Sequence, residues 1–572
     1  MKYRNIILAA TAMLFTVSCG DMLDTDSEIV EFEENNHLNS ASDTVYSVLG
    51  IINKIQVIAE RNALIGDVHS DLITTTDKTS TDLKSLSDFT AGTDNRYNQV
   101  SDYYAVINNC NNYLAKADTM LTLKGVKVFK REYVAVKVYR AWAYLQAAQL
   151  YGELPLVTNP VYTESQAQAE MQKPFRNIMQ ICEFFIDDLK PYVDERVPVL
   201  GGNIDPKYFI PIRVMLGDLC LWANRYEEAA RYYYDYLTLR EDPKPVGTFQ
   251  IKWANIKDFS PEGYPSTFDN YSANVSTTGA SEVITWIPLE QSPYYGNVSQ
   301  TYYLYNSDAV RNNYYVQLSP SKGMRELFRK QHYTQVYTDN NNNRDTLSGP
   351  DVDQINYLNY TQGDLRYASN IEYKEGINRD EYSPYSTTTQ EIEKMDPSSF
   401  ILYRVGMVYL RFAEALNRLG YTQTAMAVLK YGLYDKNINE RIDETERTAA
   451  ARFLAWDPVT FTQSNSIGIH ARGCGYVECD TISYIMPQPA TALASRQDTV
   501  NYQIPLVEDM IIEEMALEGA YEGNRFYDLM RVAMRRDDNS YLADRVAWRN
   551  GTENGTLREL LKNRNNWYLP LK

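Results

Sequence analysis

Apolar residues recur at steps of four and three through the stretch 128–160. Val134, Val138, Ala141, Leu145 and Ala148 form one stripe, and Val136, Tyr139, Ala143, Ala147 and Leu150 form a second. That period predicts a helix, and two stripes predict a helix covered on two sides. Gly152 is expected to stop it in a left-handed cap, and Pro155 to keep helix from resuming. Similar periodicity predicts helices over Asp43–Glu60, Val100–Leu123, Pro174–Tyr192 and Pro505–Tyr521.

Two further segments share an internal spacing. Gly217 and Ala229 lie twelve apart with Tyr233 following, and Ala413 and Ala425 lie twelve apart with Leu429 following. Small residues at that offset let paired helices approach closely, as in tetratricopeptide repeats, although Arg213 stands where an aromatic residue would lead the first copy. Between the two copies, residues 241–399 lose helical periodicity and fill with Gly, Pro, Ser, Asn and Tyr. Fifteen of the 47 tyrosines fall within the 92 residues from Tyr294 to Tyr385. Irregular segments held by a rigid scaffold are where binding groups concentrate, so this insert is the expected ligand-presenting region.

Composition narrows the classes. A formal charge of −18 over 572 residues disfavours binding to phosphate backbones, and nucleic acid is excluded as a partner. Lys2 and Arg4 precede the apolar run Ile6–Val17, which ends in Thr16-Val17-Ser18-Cys19. The run is short for a membrane span and has the form of a secretory signal, residues 1–18, with a lipobox-like junction. Lipidation at Cys19 would then anchor the mature chain. Asp21, Asp24, Asp26 and Glu28 follow as an exposed acidic tether. Of the other cysteines, Cys474 and Cys479 are close enough in sequence to bridge a loop, with a bridge and free thiols equally open.

Catalytic signatures are missing. The four histidines form no metal-binding pair, and there is no Gly-x-Ser-x-Gly elbow, phosphate loop or dinucleotide fingerprint. A carboxylate pair for glycoside hydrolysis cannot be singled out by counting. Asp339, Asn341, Asn343 and Asp345 alternate as calcium ligands do, but Arg344 and Pro350 replace the glycine and glutamate of an EF-hand loop, so a solvated turn is expected. No cofactor is expected.

The run Tyr139-Arg140-Ala141-Trp142-Ala143-Tyr144, continued by Leu150-Tyr151-Gly152-Glu153-Leu154-Pro155-Leu156-Val157, resembles the hallmark of the SusD/RagB family of nutrient-binding outer-membrane lipoproteins. The ending Glu522-Gly523-Asn524-Arg525, with Asp528-Leu529-Met530-Arg531, is similar to that family's C-terminal motif, in which these charges are expected to bind helix to helix. The resemblance implies a mainly α fold: a tetratricopeptide-like helix-pair scaffold in residues 19–240 and 400–572, with the loop-rich insert 241–399 between. It implies a non-catalytic, lipid-anchored cell-surface protein of the outer membrane that captures oligomeric nutrient and delivers it to a SusC-like TonB-dependent barrel. Glycan is favoured as ligand. An oligopeptide, as on the RagB side of the family, is the alternative; a protein-docking scaffold and a surface hydrolase rank lower. From position and side-chain chemistry, Asn95, Tyr97, Trp286, Tyr294, Tyr295, Tyr302 and Tyr303 are the candidate ligand residues.

Overall fold

The first apolar stretch makes a longer helix than its opening periodicity predicts. In the computed structural model α1 runs Ala41–His69, and burial is continuous from Ile58 to Ser70, so the helix does not stop at Glu60, whose polar side chain is itself buried. The structure describes residues 41–571 except 124–125, 128, 201–203, 247–251, 256–259, 263–281, 290–297, 308–314, 333, 339–343, 349–362, 365, 378–385, 393, 396, 476 and 478–479.

α2 (Val100–Lys116) stops short of Leu123 because Ala117 turns extended. Its Asn108 and Asn111 amides donate to the carbonyls of Val161 (2.7 Å) and Val157 (3.0 Å), tying down the segment that leaves the next helix. That helix, α3 (Lys130–Tyr151), is the doubly striped one. From Val134 to Tyr151 every side chain but Gln146 is buried, because α1 and α2 cover it on one side and two later helices on the other. Gly152 takes φ +77°, and a Cβ there would lie 3.1 Å from the Tyr568 ring, so the cap needs glycine for space as well as for conformation.

The exit strand Glu153–Pro155 pairs antiparallel with Phe175–Asn177. That pairing takes residues predicted as helix, and α4 (Ile178–Leu189) starts only after Asn177, whose side chain caps it reciprocally with Gln180. α5 (Ile212–Trp222) and α6 (Tyr226–Leu237) form the first helix hairpin, and α5 together with α4 completes the cover of α3. Within the hairpin the Tyr233 ring lies where a Cβ on Gly217 would be, 2.4 Å away, which is the close approach the spacing implied.

The predicted insert contains more regular structure than its composition suggests. Its described residues include the antiparallel hairpins Thr334–Thr338 with Arg344–Ser348 and Ile371–Ile377 with Ser386–Ile392, and the short helix α7 (Gln300–Tyr305). Asp345 is paired opposite Tyr337 in the first hairpin; Asp339, Asn341 and Asn343 lie outside the described residues. Val283–Pro288 pairs with Ser399–Arg404, closing the base of the insert.

α8 (Val405–Arg418) begins straight after that base; a turn with Gly420 at φ +85° separates it from the helix Thr422–Met426, which packs back on it as the second hairpin and runs into a π turn at Ala427–Tyr431. Asp218 of α5 joins the two hairpins by accepting from the Tyr233 hydroxyl (2.6 Å), the Tyr403 hydroxyl (2.9 Å) and Arg411 (2.7 Å). α9 (Arg496–Glu518) starts nine residues ahead of Pro505, and the Asn417 amide takes up the Ile504 carbonyl nearby (2.9 Å). α10 (Arg525–Arg536) carries the C-terminal motif, whose charges are buried and bind across elements. Arg525 forks onto Asp71 (2.7 Å twice), and Arg531 onto Glu414 of α8. Asp528 and Arg531 also pair along the helix itself. Among the described residues no helix is long and apolar enough to cross a membrane.

Candidate functional site

α7, only six residues long, cannot hold itself together in water. It is pinned at both ends by carboxylates of α1. Buried Glu60 caps its start, accepting the Ser299 and Thr301 hydroxyls and the N–H groups of Gln300 (2.6 Å) and Thr301 (3.0 Å). Two helical turns on, Asp67 accepts the Tyr305 hydroxyl (2.9 Å) at one oxygen and the Gly523 N–H (3.0 Å) at the other. Burial dominates Asp67 and raises its pKa to about 7, against the lowering effect of those two hydrogen bonds.

In front of this joint opens a cleft of about 390 Å³ lined by Arg61, Arg96, Tyr97, Val298, Ser299, Gln300, Tyr303 and Leu304. Arg61 lies next to Glu60 on α1 and pairs with Asp102 of α2. Arg96 lies over the Tyr97 ring, 4.7 Å from its centroid, and donates to the Tyr97 hydroxyl. Burial raises the Tyr97 phenol, with Arg96 opposing. Tyr303 meets Tyr302 edge to face at 5.3 Å, and both rings are half-buried. The cleft therefore offers an aromatic wall, two guanidiniums and an amide: surfaces for ring packing together with directional donors.

The structure brings Tyr97 and Tyr303 to this cleft, with Tyr302 beside it. Tyr97 is 4% exposed, so it serves as the bed for Arg96 and does not offer an open face. Asn95 turns inward: its amide donates to Asp82 O (2.9 Å) and Ser85 Oγ (3.0 Å), and its oxygen accepts the Tyr97 N–H, which shapes the loop. Trp286 is held apart from the cleft, in the strand pair at the insert base, packed against Tyr208 with its indole N–H on Asp205 (3.1 Å). Tyr294, Tyr295 and Cys19 lie outside the described residues. Glu60, Arg61 and Gln300 were not anticipated. The signal available was a Glu-Arg pair inside an otherwise apolar helical run.

A second concentration of polar groups lies in the interior. Glu518 is held by Arg366, Arg404 and Arg472, and Glu282 by Arg404 and Arg472. Burial alone would raise the Glu518 carboxyl, but the three guanidiniums outweigh it and hold it well below the usual range. Beside them Asp364, His470 and Cys474 bring donor atoms within 4.8 Å of one another. Arg366 already occupies both Asp364 oxygens (2.6–3.1 Å), and His470 Nδ1 is bonded to Glu514 (2.9 Å). A metal would have to displace the guanidinium, so the donor set fits an ion-pair network better. Cys474 is a free thiol directed at Asp364 (3.4 Å), while Cys479, its possible partner by sequence, lies outside the described residues.

No protein-family model and no curated protein matches the sequence. Solved structures do share its fold. A SusD superfamily protein from Bacteroides vulgatus is 12% identical, with 93% of this chain and 96% of that chain covered at a TM-score of 0.55. A SusD-like protein from Bacteroides fragilis is 14% identical, with 89% of each chain covered and a TM-score of 0.55. A SusD-like carbohydrate binding protein from Bacteroides vulgatus is 16% identical, with 86% and 84% covered and a TM-score of 0.52. The chain has the mainly helical SusD-like fold that its motifs led us to expect.

Proposed function

From the SusD-like fold, we propose that this protein is a non-catalytic cell-surface binder that takes an oligosaccharide into the cleft between the 94–97 loop and α7. The observation that carries the reading is convergence: two regions singled out by sequence, about 200 residues apart, meet in one cleft on a joint fixed by Glu60 and Asp67. The sugar-binding description of structural neighbours supports a glycan ligand. Lipidation at Cys19 would tether the protein to the outer membrane, and a SusC-like TonB-dependent barrel would receive the captured chain.

Isothermal titration of the soluble chain lacking residues 1–19 against a panel of oligosaccharides and oligopeptides tests this. Binding of a glycan that Tyr303→Ala weakens at least tenfold is expected. Peptide binding at the same cleft would replace the glycan reading, and release of shortened products from any panel member would overturn the non-catalytic one.

A further inference from the structure

The lining of the cleft differs in charge from the chain as a whole. Acidic residues outnumber basic ones by 74 to 56 over the whole sequence, yet among the described residues no carboxylate lines the cleft, while two guanidiniums do. The acids paired with these cations are not among the lining residues. Asp102 holds Arg61 from α2, and Asp82 stands 3.7 Å from Arg96 Nε. Glu60, the neighbouring acid on α1, is occupied by the cap of α7.

The two arginines are presented differently. Arg61 is mostly buried at the floor, its position fixed by Asp102, so it is a rigid donor with little rotamer entropy left to lose. Arg96 is about half exposed at the rim (side chain 55%), and the Tyr97 ring beneath it keeps the guanidinium plane in place. A planar fork held on an aromatic ring suits a carboxylate or sulfate oxygen pair, since guanidinium binds such groups with two parallel hydrogen bonds. A neutral glycan would need only hydroxyl partners, for which amides and tyrosines suffice.

We infer that the oligosaccharide taken by this cleft is an acidic one, its carboxylate or sulfate group received between Arg61 and Arg96 while a sugar ring packs against Tyr303. This rests on the cleft being the ligand site, as proposed above. The net negative charge of the chain opposes an acidic ligand in general, so its binding depends on the pairing with these guanidiniums and weakens as salt screens it.

The test uses four probes: tetragalacturonate, its fully methyl-esterified form, a chondroitin sulfate tetrasaccharide and neutral xylotetraose. The expected result is binding of tetragalacturonate or the sulfated tetrasaccharide at least about tenfold tighter than of the ester and xylotetraose, the scale of one charge-assisted hydrogen bond. Which acidic probe prevails tells carboxylate from sulfate recognition. Raising salt from 50 to 500 mM should reduce the acidic affinity several-fold, and Arg96→Gln should lower it about tenfold while lowering ester affinity far less. Arg96 is exposed, so an unchanged melting temperature separates that loss from misfolding. Equal or tighter binding of the neutral probes, lost in Tyr303→Ala, would overturn the acidic preference and leave the glycan reading standing. Binding of none of the four, or binding indifferent to both Arg96→Gln and Tyr303→Ala, would overturn both.

Discussion

Replacing Asp67 with asparagine should remove a pH dependence from the stability of this protein. Asp67 lies between α1, the Tyr305 hydroxyl and the Gly523 N–H, with Glu522 and Lys394 as the nearest further charges. Burial raises its pKa from 3.8 to about 7. A carboxyl raised in the folded state binds its proton more tightly there than in the unfolded chain. Its contribution is therefore complete below pH 3.8 and disappears as pH climbs through 7. At pH 5 the folded carboxyl keeps its proton and the unfolded one has lost it, a difference worth about 2–3 kcal/mol, and by pH 8 almost nothing remains. The amide of the Asp67→Asn variant has no proton to lose, yet keeps the shape of the protonated acid. Urea unfolding of both proteins at pH 5, 6, 7 and 8, followed by circular dichroism, should show the wild type losing about 2–3 kcal/mol relative to the variant across that range. A gap that stays constant with pH would refute the assignment of a raised, protonated Asp67.

Glu60→Gln replaces a carboxylate that accepts two N–H groups and two hydroxyls with an amide that presents its own N–H groups to them, and should weaken the cap of α7 by about 1.5–3 kcal/mol. Hydrogen exchange should then quicken at residues 300–305 and stay slow in α3; unchanged exchange would contradict the pinning. Gly217→Ala puts a methyl against the Tyr233 ring and should cost about 1–3 kcal/mol in thermal unfolding. Trp286→Phe removes the bond to Asp205 at a cost of about 1 kcal/mol, with ligand affinity unchanged because the residue lies away from the cleft.

The scaffold was legible because its cause is local. The stripes of α3 and the Gly152 stop are set by neighbours three and four residues away, and they fold as that spacing implies. The capped start of α4 was displaced because Phe175–Asn177 answers to a strand about twenty residues upstream. The cleft was half legible for the same reason. Aromatic residues advertise themselves by type, so Tyr97 and Tyr303 could be named. The joint that sets them depends on Glu60 and Asp67 meeting residues about 240 positions away, which no periodicity encodes. Trp286 shows the converse: an aromatic residue of the same segment whose indole packs at the base of the insert, on Tyr208 and Asp205.

That base has a consequence for how such a protein can change. The Leu289 N–H donates to the Ser398 carbonyl (2.8 Å) where the two strands end, so the chain leaves and re-enters the scaffold at nearly one point. The entropy of closing a loop between fixed, adjacent ends grows only logarithmically, about 0.6 kcal/mol for each doubling of its length. The stretch between the ladder and the start of α7 can thus change in length with little effect on the helical frame, whereas the stretch after α7 carries Arg366, which is tied to Glu518 in the interior. For that first stretch the ladder works as a socket, whose contents can change while the stability of the frame stays where it was.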